Sequence, residues 1–197
     1  MRKIILLSLL TLVLALGPLA QAQTPGSGKF TVEFEQNETN VPVVAGVVKL
    51  RRAPFGINLS FAKPMAILIA VSSDPARYDL ARRGAPLDRF IRPGTGVAEY
   101  PFNESKDLCV SGEGTNYWYF QDEYDHRFDR VLLAKERILC HRNIENLFFP
   151  DGENRSVKLS ESNLAKLYLV LANAEYNWET SKYEEHQRET LVLEFVD

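Results

Sequence analysis

The chain has 197 residues, 45% hydrophobic, 11% aromatic and 25% charged, with a formal net charge of −3. That composition is ordinary for a globular protein and excludes collagen-like, coiled-coil and disordered classes. The slightly acidic balance also speaks against a nucleic-acid binder, which needs a basic footprint.

The N-terminus carries the clearest pattern. Arg2 and Lys3 precede an apolar run over residues 4–16, broken only by Ser8 and Thr11. Gly17 and Pro18 end the run, and Ala20-Gln21-Ala22 has the small-x-small form of a cleavage site. The run is shorter than the roughly 20 residues a membrane span needs. We therefore expect a signal peptide over 1–22, a flexible leader over 23–28, and one domain over 29–197, secreted or periplasmic, with no membrane span after signal removal. Cys109 and Cys140 are the two cysteines. An oxidising compartment would favour a disulfide between them. Asn37, Asn58, Asn103 and Asn154 begin glycosylation sequons, which matter only in a source that glycosylates them.

From residue 29 the dominant period is two. Phe30, Val32 and Phe34 alternate with Thr31, Glu33 and Glu35, the mark of a half-buried strand. A strand over 43–50 follows, with a bulge expected at Gly46. Phe55, Ile57, Leu59 and Phe61 alternate again, and residues 65–71 form a continuous apolar run suited to a strand buried on both faces. Asp74 as N-cap, Pro75 at the first position and Gly84 as stop predict one short helix over 75–83, acting as a connector. Further strands are expected near 97–102, 107–112, 116–121, 129–134, 137–142, 145–149 and 155–159. Pairing of 129–134 with 137–142 around Lys135-Glu136 would set His141 opposite Arg130. Residues 164–174 fit both periods and are read as a strand, because neighbouring segments need sheet partners. Residues 191–196 close the chain as a strand. Many short strands separated by turn residues predict an all-β fold, an antiparallel β-sandwich with a jelly-roll-like arrangement among the variants.

No nucleophile-elbow, zincin, Cys-x-x-Cys or phosphate-loop signature is present. The densest chemistry lies over 115–130, where Tyr117, Trp118, Tyr119, Asp122, Asp125 and His126 are the candidate ligand-binding residues. Aromatic rings beside carboxylates suit a carbohydrate, since rings stack on sugar faces and acids accept hydroxyl hydrogen bonds. The same segment also reads as ordinary strand aromatics followed by a solvated acidic loop. Asp122, Asp125 and Asp129 offer oxygen ligands for Ca²⁺, although their spacing differs from the helix-loop-helix calcium pattern. His126 and His141 are spaced too far apart along the strand for a shared zinc site, roughly 13 Å. A second segment, 77–92, has five arginines against two aspartates; it could receive an acidic partner, a phosphate or a polyanionic glycan, but its simplest use is pairing with the acidic region over 175–189 or plain solvation. The expected role is non-catalytic binding of a carbohydrate or protein partner. The rivals are a glycan hydrolase using the acids of 122–129 and an envelope assembly or inhibitor protein.

Overall fold

The structure is a computed structural model and describes residues 30–62, 66–89, 107–110, 118–149 and 155–197. The signal-peptide and leader segments, the strand expected at 97–102, Arg92 and Tyr117 lie outside the described residues. The fold is all-β, with two large sheets facing each other and a small third sheet beside them.

The first sheet has five antiparallel strands in the order β2-β1-β5-β10-β9, where β1 is Phe30–Gln36, β2 Thr39–Val41, β5 Phe55–Ala62, β9 Arg130–Leu133 and β10 Arg137–Ile144. The second has six strands in the order β3-β4-β14-β13-β6-β8. Its members are β3 Val43–Val44, β4 Val47–Arg51, β6 Ala66–Ser72, β8 Trp118–Phe120, β13 Lys166–Asn177 and β14 Lys182–Val196. The third joins β12 Arg155–Lys158, β11 Asn146–Phe149 and β7 Asp107–Cys109. Most pairings are antiparallel as expected, but β14 with β4 and β11 with β7 run parallel.

Alternation explains which side chains enter the core. Phe34, Ile57, Leu59 and Phe61 from the first sheet meet Leu50, Ile69, Leu169 and Leu193 from the second in one buried cluster. Strand β6 is buried at every position, since its other face, with Leu68 and Ala70, packs under the helix. That helix, α1 (Pro75–Arg82), starts where Asp74 accepts a hydrogen bond from the Ala76 amide at 2.9 Å. It does more than connect. Ala81, with nearby Leu87, joins Leu68, Val170 and Ala172 in a second apolar cluster. Arg188 on β14 donates to the carbonyls of Ala81 and Ala85, at 3.0 and 2.9 Å. This arginine joins the 77–92 and 175–189 segments, whereas the expected pairing of the 77–92 arginines with the acids of 175–189 is not seen among the described residues. Arg77 and Arg83 bond the backbone carbonyls of Arg89 and Asp79, and Arg82 lies over the Tyr78 ring.

Two expectations are corrected. The segment 43–50 is a hairpin and not a bulged strand, because Ala45 and Gly46 both take positive φ (51° and 78°) and form its two-residue turn. The Cys109–Cys140 disulfide is not formed, and both cysteines are free and buried. Cys109 sits on β7 opposite Phe148, whereas Cys140 sits on β10 between Leu59 and Val131. Each serves as a small apolar residue in a different sheet. Burial pushes the Cys140 thiol up to about 12. Cys109 is raised as well, by burial first and then by the neighbouring Asp107 carboxylate. Thiolate is the reactive form, so both are poor nucleophiles. The expected outcome is that neither thiol reacts with an aromatic disulfide reagent in the native protein and that two equivalents appear on unfolding. The melting temperature should be the same with and without a reductant. Recovery of fewer than two thiols from freshly unfolded protein would contradict this. Among the described residues no helix is long and apolar enough to cross a membrane.

Candidate functional site

The aromatic and acidic segment comes first, since the sequence points there. Strand β8 adds to the edge of the second sheet, with Tyr119 opposite Leu68 and Phe120 opposite Ile67. Alternation sends Phe120 into the core, where its ring meets Phe61 at 5.2 Å and stacks on His126 at 6.0 Å. Tyr119 takes the other face. Its hydroxyl donates to Asp125, and the Arg127 guanidinium lies 4.9 Å from its ring centre. Burial and the Asp125 bond push the Tyr119 phenol up to about 12.

The chain then turns tightly. Asp122 Oδ1 accepts from the amides of Tyr124 and Asp125 at 2.8 and 2.9 Å, an Asx turn. The Gln121 amide donates to the Asp125 carbonyl at 2.9 Å. Tyr119, Asp122, Asp125 and His126 therefore hold the turn in shape. Trp118 is placed by its backbone on β8 opposite Ile69. Asp129 is engaged separately: its Oδ2 accepts from the Asn143 amide at 2.6 Å, and its Oδ1 lies 4.0 Å from Arg142. Among the described residues no group of three His, Cys, Asp or Glu could hold a metal ion.

His126 Nδ1 accepts from the Phe128 amide at 3.2 Å, which requires that nitrogen to be unprotonated. Burial, and then Arg127, lower its pKa from the ordinary 6.5. The unfolded chain thus binds the proton more tightly. The stability contributed by neutral His126 is complete above pH 6.5 and is lost as pH falls through the lower folded value. Thermal melts from pH 7.5 to 5 should show falling stability, with a shallower slope in His126→Gln. An unchanged slope in that variant would refute the assignment.

A different surface gathers polar groups that leave their neighbours' cavity open. The outer face of the five-stranded sheet carries a trough of about 920 Å³. Register lines its side chains up in rows, since paired residues project to the same side. One row is Glu33, Asn58, His141 and Arg130, from β1, β5, β10 and β9 in turn. The next is Thr31, Ser60, Leu139 and Leu132. His141 and Arg130 face each other as the sequence implied.

The middle of the first row is fixed by a hydrogen-bond chain. Asn58 Nδ2 donates to Glu35 Oε2 at 3.1 Å, and Asn58 Oδ1 lies 2.8 Å from His141 Nδ1. With its NH₂ committed to a carboxylate, the Asn58 amide can only accept from His141. Neutral His141 therefore carries its proton on Nδ1 and keeps Nε2 as an acceptor. Gly56 makes the arrangement possible. A Cβ there would lie 2.6 Å from Glu35 Cγ, so only glycine lets the Glu35 side chain lie across β5. Beyond the row, Ser60 is braced by Arg137, whose Nε donates to Ser60 Oγ at 2.7 Å. In Gly56→Ala the Glu35 carboxylate must move while the fold survives, because the clash is with a flexible side chain. Imidazole ¹⁵N shifts of His141 should then move from a single tautomer toward a mixture, with little change in melting temperature. Identical shifts in the variant would refute the relay.

Glu33, Glu35, Asn58 and Arg130 carry no mark of site residues in the sequence. They lie on four strands, and singly each is the polar half of an alternating pattern. The available signal was His141 opposite Arg130. No family model, curated protein or solved structure matches the chain.

Proposed function

We propose that this is an exported, non-catalytic binding protein that holds a small polar ligand in the trough on the five-stranded sheet. The observation that carries the reading is the in-register row Glu33, Asn58, His141 and Arg130, with its centre pre-organised by Glu35. Ordered donors and acceptors on rigid strands bind at lower entropic cost than mobile ones. The volume of about 920 Å³ falls in the range of small-ligand sites. Export is supported by the leader pattern of residues 1–22.

The 118–129 segment fits this reading as a structural turn. Tyr119 is covered by Arg127, and Asp122, Asp125 and Asp129 already accept hydrogen bonds from the chain. That leaves the trough as the better place to seek both a carbohydrate and any other polar ligand.

The test is a thermal-shift screen of amino acids, short peptides and mono- to trisaccharides, followed by Asn58→Leu. A ligand that binds the trough should lose about tenfold or more in affinity in that variant, the scale of one or two lost hydrogen bonds. Tyr124→Ala, at an exposed turn position, should leave affinity unchanged. Loss in the turn variant with retention in Asn58→Leu would move the site back to the 118–129 segment. Conversion of a ligand to product would favour the hydrolase. Native protein beginning at Met1 would remove the support for export.

A further inference from the structure

This inference rests on the trough being the ligand site and names its ligand. We infer that the trough binds a short peptide with both termini free, its ammonium at Glu33 and its carboxylate at Arg130.

Charge of both signs is laid out along one row. Glu33 and Arg130 are both exposed, and neither side chain makes a hydrogen bond or ion pair among the described residues. Of the other charged side chains among the described residues, Asp129 lines the trough, Glu35 and Arg137 border it, and all three are committed. Glu35 accepts from Asn58, Asp129 accepts from the Asn143 amide beside Arg142, and Arg137 bonds Ser60. So one anion stands open at the β1 end and one cation at the β9 end. A neutral sugar has no charges to satisfy them, and a simple anion or cation would satisfy one and leave the other open.

Distance then selects the size. Glu33 and Arg130 are three strand spacings apart, roughly 14 Å between their Cα atoms. An extended tripeptide spans roughly 10 Å. The flexible Glu33 and Arg130 side chains close the remainder, reaching the ammonium and the carboxylate with charge-assisted hydrogen bonds of ~2.8 Å. The centre of the row suits peptide groups, because Asn58 and His141 offer His141 Nε2 as acceptor for a backbone N–H. Next to Arg130, the paired Leu132 and Leu139 are 62% and 39% exposed. They supply an apolar contact for the C-terminal side chain.

The experiment titrates the ¹⁵N-labelled protein with Ala-Ala-Leu, its N-acetylated form, its C-amidated form and maltotriose. Ala-Ala-Leu should shift amides of β1, β5, β9 and β10, and each blocked peptide should bind at least ~10-fold more weakly, the scale of one lost charge-assisted bond. Glu33→Gln should erase the penalty of acetylation and keep that of amidation. Arg130→Gln should do the reverse. Equal binding of free and blocked peptides overturns the inference. Maltotriose shifting the trough amides, with affinity unmoved by Glu33→Gln and Arg130→Gln, overturns the peptide assignment and leaves the binding site standing. No shift with any of the four at millimolar concentration overturns both.

Discussion

The alternation of β5 is the constraint from which the rest follows. Phe55, Ile57, Leu59 and Phe61 point inward and are buried, while Asn58 and Ser60 face the trough and Gly56, on the same outer side, is covered by Glu35. One strand therefore supplies the centre of the core and the floor of the site, and β1 and β10 are registered on it from either side. A slip of one residue would bury Asn58 and expose Leu59. The apolar cost of that slip is what holds the polar row in line, so the hydrophobic effect indirectly sets the site's geometry. Gln36 adds a local lock. Its buried amide donates to the carbonyls of Arg51, Ala53 and Pro54 and accepts from the Arg51 amide, pinning the β4–β5 connection to the end of β1.

Much of this was legible in the sequence because burial writes a period-two pattern. The strands at 30–36, 55–62 and 137–144 and the doubly buried run at 66–72 match their expected spans closely. So does the helix, whose Asp74, Pro75 and Gly84 carry its start and stop. The ambiguous run at 164–174 falls in a strand, Lys166–Asn177, because it lies between β14 and β6 and both neighbours demand backbone partners. The hairpin at Ala45-Gly46 was not legible, since an alanine at φ 51° runs against its own preference and only the sheet pairing imposes it. The trough was hardest to read. Its residues come from positions 33, 58, 130 and 141, and only sheet order brings them into one row. By contrast, the segment at 115–130 stands out by composition, and there Tyr119, Asp122 and Asp125 bond within the turn itself.

Beneath the trough the first sheet carries an expensive group. Arg142 is 2% exposed, and its position on β10 turns it inward while His141 turns outward. Burial lowers its pKa, and the Asp129 and Asp107 carboxylates act in the opposite direction. Its Nη1 donates to the Arg127 carbonyl at 2.9 Å. Asp107, itself buried, accepts from Asn146 and Ser156 on the third sheet. Such a cation is costly unless paired, and removing one partner costs more than the pair contributes. The arrangement ties the turn after β8, the start of β9 and the small third sheet to one guanidinium. That linkage fixes Asp129, and through the next residue the backbone that carries Arg130 into the trough.

The free cysteines change what export would require of this fold. A disulfide closing the loop from Cys109 to Cys140 would have added roughly 3–4 kcal/mol by constraining the unfolded chain. Without it, stability rests on burial, and a chain of this size can bury roughly 70% of its extended surface. Both thiols are buried and held in the neutral form, on strands of different sheets. An oxidising compartment therefore finds no reactive thiolate in the native state. The vulnerable species is the unfolded chain, in which both thiols are open to pairing. Cys140 is buried between Leu59 and Val131 by the same register that aligns Asn58 with His141, so redox safety and the geometry of the trough depend on one set of strand pairings.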